Sequence, residues 1–190
     1  MWPLLITSIV ALTIVVERLI FTLREKMKRQ PEVMEDILSY VELGDLHTAI
    51  QKGQGSEDFL VKTLIYALSH REKSLGSAIL RAANLELQRF NRGLSILDTI
   101  ITLAPLLGLL GTVTGMIHAF SLLGSAELGT PVAITGGIAE ALIATAFGLG
   151  IAILALIPFN YLNARLEEAR HQLEDLTSQL ELLLVTHSEI

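Results

Sequence analysis

The 190-residue sequence contains no cysteine, which excludes disulfide frameworks and thiolate metal sites. Charge is scarce as well: Asp, Glu, Lys and Arg make up 18% of the chain, with a net charge of −6 at pH 7. No basic stripe accompanies that acidic balance, which argues against nucleic acid as a partner. His47, His70, His118, His171 and His187 never approach metal-ligand spacing, so no metal site is expected. Neither G-x-x-x-x-G-K-[ST] nor G-x-S-x-G occurs. With no phosphate-binding loop and no nucleophile elbow, no catalytic residue, no cofactor and no enzyme activity are expected. What the chain has instead is apolar residues, 51% of the total, with a mean hydropathy of +0.54. Those values are high for a soluble domain and point to a membrane protein. The length suits one compact unit.

Three apolar segments stand out. The first, residues 2–23, has the length of a spanning helix, with Glu17 and Arg18 near its end. A cleavable signal peptide is the rival reading. No Lys or Arg precedes the run and no small-residue cleavage site follows it, so an uncleaved anchor is expected. The second span is drawn over 96–123 and carries no formal charge from Thr99 onward. The third, 131–161, opens with Thr130 as N-cap and Pro131 at the first helical position, and Glu140 is its only charge. A helix of that length measures roughly 45 Å against a hydrocarbon core of roughly 30 Å, so it should protrude.

Basic residues set the expected orientation. Arg24, Lys26, Lys28 and Arg29 follow the first span, and Arg165 and Arg170 follow the third. The loop at 124–130 has no Lys or Arg. The positive-inside rule then puts the N-terminus outside, the loop in the periplasm, and both the 24–95 region and the 162–190 tail in the cytoplasm. The 24–95 region reads as helices. Asp45 is a candidate N-cap after Gly44, a break falls at Gly53, Gln54 and Gly55, and a new helix starts around Ser56, Glu57 and Asp58. From Ser74 only Gly93 is a weak point before the second span. In the tail, Leu162, Leu166, Ala169, Leu173, Leu176, Leu180 and Leu183 alternate in steps of four and three, a heptad seam. Packing on the chain's own cytoplasmic helices is the favoured reading of that seam, with packing between subunits as the alternative.

Glu140 lies nine residues beyond Pro131, about 14 Å along the helix and so near mid-bilayer. A charge there costs about 2.5–3.5 kcal/mol even on lenient scales. The acid is therefore protonated, faces a polar cavity, or pairs with a partner. Ala133, Gly136, Gly137 and Ala144 surround it at helical spacing as a narrow small-residue face, with Gly148 continuing it. The second span offers Gly108, Gly111 and Gly115. Small faces let membrane helices approach closely, and simple helix packing explains them as well as a pore lining does. Thr112, Thr114 and Thr145 are the other polar groups at depth, each also readable as a hydroxyl bonded to a carbonyl one turn back. Thr145 stands about 140° around the helix from Glu140, so the two cannot share one narrow face. His118 reads as interfacial in preference to a proton relay.

LAPLLGLLGTVTGMIHAF (103–120) followed by GGIAEALIATAFGLGIAI (136–153) resembles the ExbB/TolQ/MotA proton-channel family, with ExbB and TolQ most alike. The A-P-x-x-G-L-x-G-T-V and G-I-A-E-A-L-x-A-T patterns carry the resemblance. It implies an all-α inner-membrane subunit with three spans, assembled as a homopentamer around a dimeric single-span partner of ExbD or TolR type. Proton flow there would drive a TonB- or TolA-like protein acting at the outer membrane. The resemblance also implies functional roles for Glu140, Thr145 and Thr112, with the two threonines along the pore and a titrating Asp on the partner. Whether Glu140 carries the proton or tunes the partner's Asp stays open. So does the choice between a TonB-type and a Tol-type subunit, since a longer outer N-terminal segment is expected to be missing. The extra span and large charged domain of flagellar MotA proteins are expected to be missing too. A passive membrane scaffold is the alternative of a different class.

Overall fold

The computed structural model describes residues 2–125 and 131–188, with side chains placed over 2–70, 74–121 and 135–183. The Thr130 cap, the Ala133 side chain and most of the 124–130 loop lie outside the described residues. Among the described residues seven helices follow one another: α1 (Trp2–Met27), α2 (Pro31–Glu42), α3 (Leu46–Gly53), α4 (Phe59–Ser69), α5 (Arg71–Asn91), α6 (Leu94–Ser125) and α7 (Pro131–Ser188). No strand occurs among the described residues, so the fold is all-helical. Segments long and apolar enough to cross a membrane lie within Trp2–Met27, Ser74–Ser121 and Thr135–Leu183. The chain divides into two compact units, one of Met1–Leu19 and Gly93–Leu162, the other of Ile20–Arg92 and Asn163–Ile190. Both α1 and α7 contribute to each unit.

The second unit is built like a small water-soluble bundle. Pro31 stands at the first position of α2, where its missing N–H costs nothing. Gly44, at φ +78°, turns the chain out of α2. The Asp45 carboxylate then caps α3 by accepting the Thr48 N–H (3.1 Å) and the Thr48 hydroxyl (2.6 Å). Those two bonds hold the Asp45 carboxyl below its ordinary value of 3.8. Gly53 ends α3 against α4, where a Cβ would stand 2.4 Å from the Ile65 side chain.

Of the three polar residues that signal the next helix, Asp58 is the cap. It accepts the Leu60 N–H at 2.9 Å, the Gln30 N–H at 2.7 Å and an Arg29 Nη1 bond at 3.3 Å. It is almost fully buried, so one carboxylate ties the α1–α2 connection to the start of α4. Ile37, Val41, Leu64, Leu68 and Ile79 form the core with Leu173, Leu176 and Leu180 of the tail. The heptad seam of α7 thus packs on helices of its own chain from Ala169 onward.

In the first unit α1, α6 and α7 meet through Ala11, Leu97, Ile100 and Ala155. Gly93, at φ +81°, separates α5 from α6. Its Cα faces Ile14 and the buried Arg18, and a Cβ there would lie 3.2 Å from the Ile14 side chain. Arg18 also pairs with its neighbour Glu17. α7 passes Pro158 without ending, so the expected boundary between 161 and 162 falls inside one helix of 58 residues. The boundary between 95 and 96 likewise falls just inside α6.

Candidate functional site

The paired α6 and α7 carry every residue singled out for the pore and for close packing. They run antiparallel through a ladder of small residues. A Cβ on Gly148 would stand 2.5 Å from the Ala104 carbonyl oxygen and 3.1 Å from the Gly108 Cα. A Cβ on Gly108 would be 3.0 Å from the Thr145 Cα. Further along, Gly111 meets the Ala144 methyl, Gly115 the Ala141 methyl, and Gly137 the Ala119 methyl, each with room for no more than hydrogen. Backbone-to-backbone approach of this kind is how helices associate where no water drives large side chains together.

Gly108, Gly111, Gly115, Gly137 and Gly148 all stand in this ladder. Gly136 does not: a Cβ there meets nothing within 4 Å. The narrow face expected around Glu140 is in fact two faces. Gly137, Ala141, Ala144 and Gly148 follow the 4–3–4 line that turns toward α6. Gly136 and Glu140 lie one residue off that line and are exposed. Glu140 makes no ion pair or side-chain hydrogen bond among the described residues.

The threonines differ from one another. The Thr112 hydroxyl donates to the Leu109 carbonyl at 2.7 Å, and that of Thr114 to Leu110 at 2.9 Å, both within α6. Thr145 instead donates across the seam to the Gly108 carbonyl at 3.0 Å. That bond is possible because the Gly108–Gly148 contact brings the two backbones together. Sequence reasoning missed it. The signal for it was that Gly108 is one of the seam glycines and Thr145 stands one turn before Gly148. His118 is exposed, near the other end of α6. No group of His, Asp and Glu able to hold a metal occurs among the described residues.

Long apolar helices joined by a glycine–alanine seam, with a hydroxyl bridge in the seam and a carboxylic acid beside it, mark a helical membrane protein. The sequence pattern of the MotA/TolQ/ExbB proton channel family matches residues 51–175. The ExbB-like 1 biopolymer transport protein of Synechocystis sp. is 37% identical over 192 residues, covering 96% of this chain and 74% of the relative. ExbB-like 3 of the same organism is 30% identical over 186 residues, covering 95% and 88%. The Tol-Pal system protein TolQ of Haemophilus influenzae is 43% identical over 84 residues, 44% of this chain and 37% of that protein. The chain belongs to the MotA/TolQ/ExbB proton channel family, whose members are not enzymes.

Proposed function

We propose that this chain is the channel subunit of an ExbB–ExbD (TonB) type complex of the bacterial inner membrane, which uses proton flow to energise outer-membrane transport. In this reading the N-terminus is periplasmic and the C-terminus cytoplasmic. The chain assembles with itself as a pentamer, around a single-span partner dimer of ExbD or TolR type. The partner's helices pass through the bundle and connect to a TonB- or TolA-like protein. Thr112 and Thr145 line the proton route, and Glu140 carries the proton or tunes the acid that the partner brings.

One observation carries the proposal. The α6–α7 seam uses Gly137, Ala141, Ala144 and Gly148, yet leaves Glu140 exposed and unpaired on the adjoining face. An acid in an apolar helix is costly against lipid, so that face is made for a polar cavity or another protein helix. A potential of 100 mV supplies about 2.3 kcal/mol per proton, a modest quantum.

Glu140→Ala is expected to abolish energised uptake while the oligomer still assembles, as read by native mass spectrometry. Full uptake by that variant sinks the proposal. A passive scaffold instead makes Glu140→Gln silent. A channel needing no partner makes the purified chain conduct by itself in liposomes. The TolQ relative, at 43% identity over 84 residues, favours a second reading in which the same machinery serves a Tol-Pal envelope system.

A further inference from the structure

α6 carries one formal charge along its whole length, Asp98, and no Lys or Arg. Asp98 is exposed, in the second turn of the helix. Among the described residues its carboxylate has neither an ion pair nor a hydrogen bond.

Its position is informative. Asp98, Pro105 and Thr112 follow each other at intervals of seven residues. Seven residues bring a helix back to within about 20° of the same direction, about 10 Å further along. Asp98 and Thr112 thus share one face of α6, about 40° apart in azimuth and about 21 Å apart along the axis. Pro105 lies between them inside the helix. A proline there has no N–H to give, so the Ile101 carbonyl loses its helical donor and is left to bind something else. That carbonyl points up the helix toward Pro105. The face therefore presents a hydroxyl, a released carbonyl and a carboxylate in succession. Beside its upper part, the Thr145 hydroxyl reaches the Gly108 carbonyl. Thr102 adds a further hydroxyl near the lower end, exposed and bonded back to the Thr99 carbonyl at 2.9 Å.

We infer that this face of α6 is the cytoplasmic half of the proton route, and that Asp98 is the group through which protons leave it. The inference rests on the channel reading above and extends it to the exit. Steps of about 10 Å exceed a single hydrogen bond, so water bridges the protein groups. Asp98 accepts a proton from the last of those waters. It then passes the proton to cytoplasmic water or buffer and returns to the carboxylate form, so no net protonation accumulates. In the proposed orientation α6 enters the membrane from the cytoplasm near Leu94, which puts Asp98 at the mouth.

The test uses the complex purified through a tag on this chain and reconstituted into liposomes. Pyranine reports protons reaching the lumen under a negative-inside potential. With a dilute lumenal buffer, Asp98→Asn should lower the initial flux about a hundredfold, the lower end of what a positioned proton-transfer group supplies. Asp98→Glu should keep most of the flux. Concentrated imidazole in the lumen should restore the Asn variant, because a mobile base replaces the missing one. Native-like flux through Asp98→Asn in dilute buffer overturns the inference. So does a loss that neither Asp98→Glu nor imidazole repairs, which would mark a structural role. Glu140→Ala, run in parallel, separates the two ideas. If Glu140→Ala stops flux and Asp98→Asn does not, only the exit assignment falls. If Glu140→Ala conducts normally, the channel reading falls and takes the exit with it.

Discussion

Around α2 to α5 and the tail of α7, the large aliphatic side chains point inward: Ile37, Leu64 and Leu180 are fully buried. Along α6 beyond Leu97 and Ile100, and along the first half of α7, most of them point outward, with Leu106 60%, Ile117 65% and Leu154 73% exposed. There the contacts between α6 and α7 belong to Gly and Ala. The inversion follows from the solvent each part meets. In water, removing a leucine from solvent stabilises by about 1.5–3 kcal/mol, so leucines collect in a core. Against hydrocarbon that gain vanishes, and helices associate through close backbone approach and hydrogen bonds. The outward leucines of the first unit lie on helices long and apolar enough to cross a membrane.

Mutations can break or sharpen this contrast. The largest effect is expected from Gly148→Leu, whose side chain would collide with the Ala104 carbonyl and the Gly108 backbone. Neither is a flexible chain end. The seam should open, at about 3 kcal/mol or more, seen as loss of a monodisperse peak in detergent. Gly136→Ala, in open space, should instead be neutral or gain up to about 1 kcal/mol of helix stability. If both substitutions behaved alike, the small-residue seam would not hold α6 to α7.

Next is Leu176→Ala in the water-type core, at about 3–4 kcal/mol by thermal or chaotrope melting followed by circular dichroism. A change below about 1 kcal/mol would mean that the tail does not belong to that core. Asp58→Ala leaves the Gln30 and Leu60 N–H groups and Arg29 without their acceptor, at about 2–3 kcal/mol. Limited proteolysis at the α1–α2 connection should accelerate with it. Thr145→Val keeps the shape but removes the bridge to Gly108, at about 1 kcal/mol in a membrane setting, whereas Thr145→Ser keeps it. The proposed function adds that Val, and not Ser, lowers proton flux.

The smallest effect is a pH dependence at Asp45. Its carboxyl is held below 3.8 when folded by the hydroxyl and N–H of Thr48. The cap therefore contributes in full above that ordinary value and is lost as pH falls through the lower folded one. Amide exchange at Thr48 should quicken below about pH 4 in the native chain and show no such step in Asp45→Asn.

Much of the second unit was legible because its signals are local. Gly44–Asp45 and the Gly53–Gly55 break mark helix ends through backbone chemistry confined to a few residues. The leucine seam of the tail is a periodic signal that needs no knowledge of its partner. Asp58 shows where local reading ends. Ser56, Glu57 and Asp58 together announce a helix start, but Asp58 is buried because its other acceptor duty is to Gln30, 28 residues away. In the site, the 140° offset between Glu140 and Thr145 was readable from helix geometry alone. Which of the two faced α6 was not.

What the sequence by itself determined is therefore the helical fold class, the three apolar helices, the caps and breaks, and the family, all written in spacing and composition. Only the tertiary structure decided azimuth. It turned Gly137 into the seam and left its neighbour Gly136 outside, sent the Thr145 hydroxyl to Gly108, and exposed Glu140 and Asp98. The reason is that a helix's own repeat says which residues share a face. Which face is covered depends on where a second helix, distant in sequence, comes to lie.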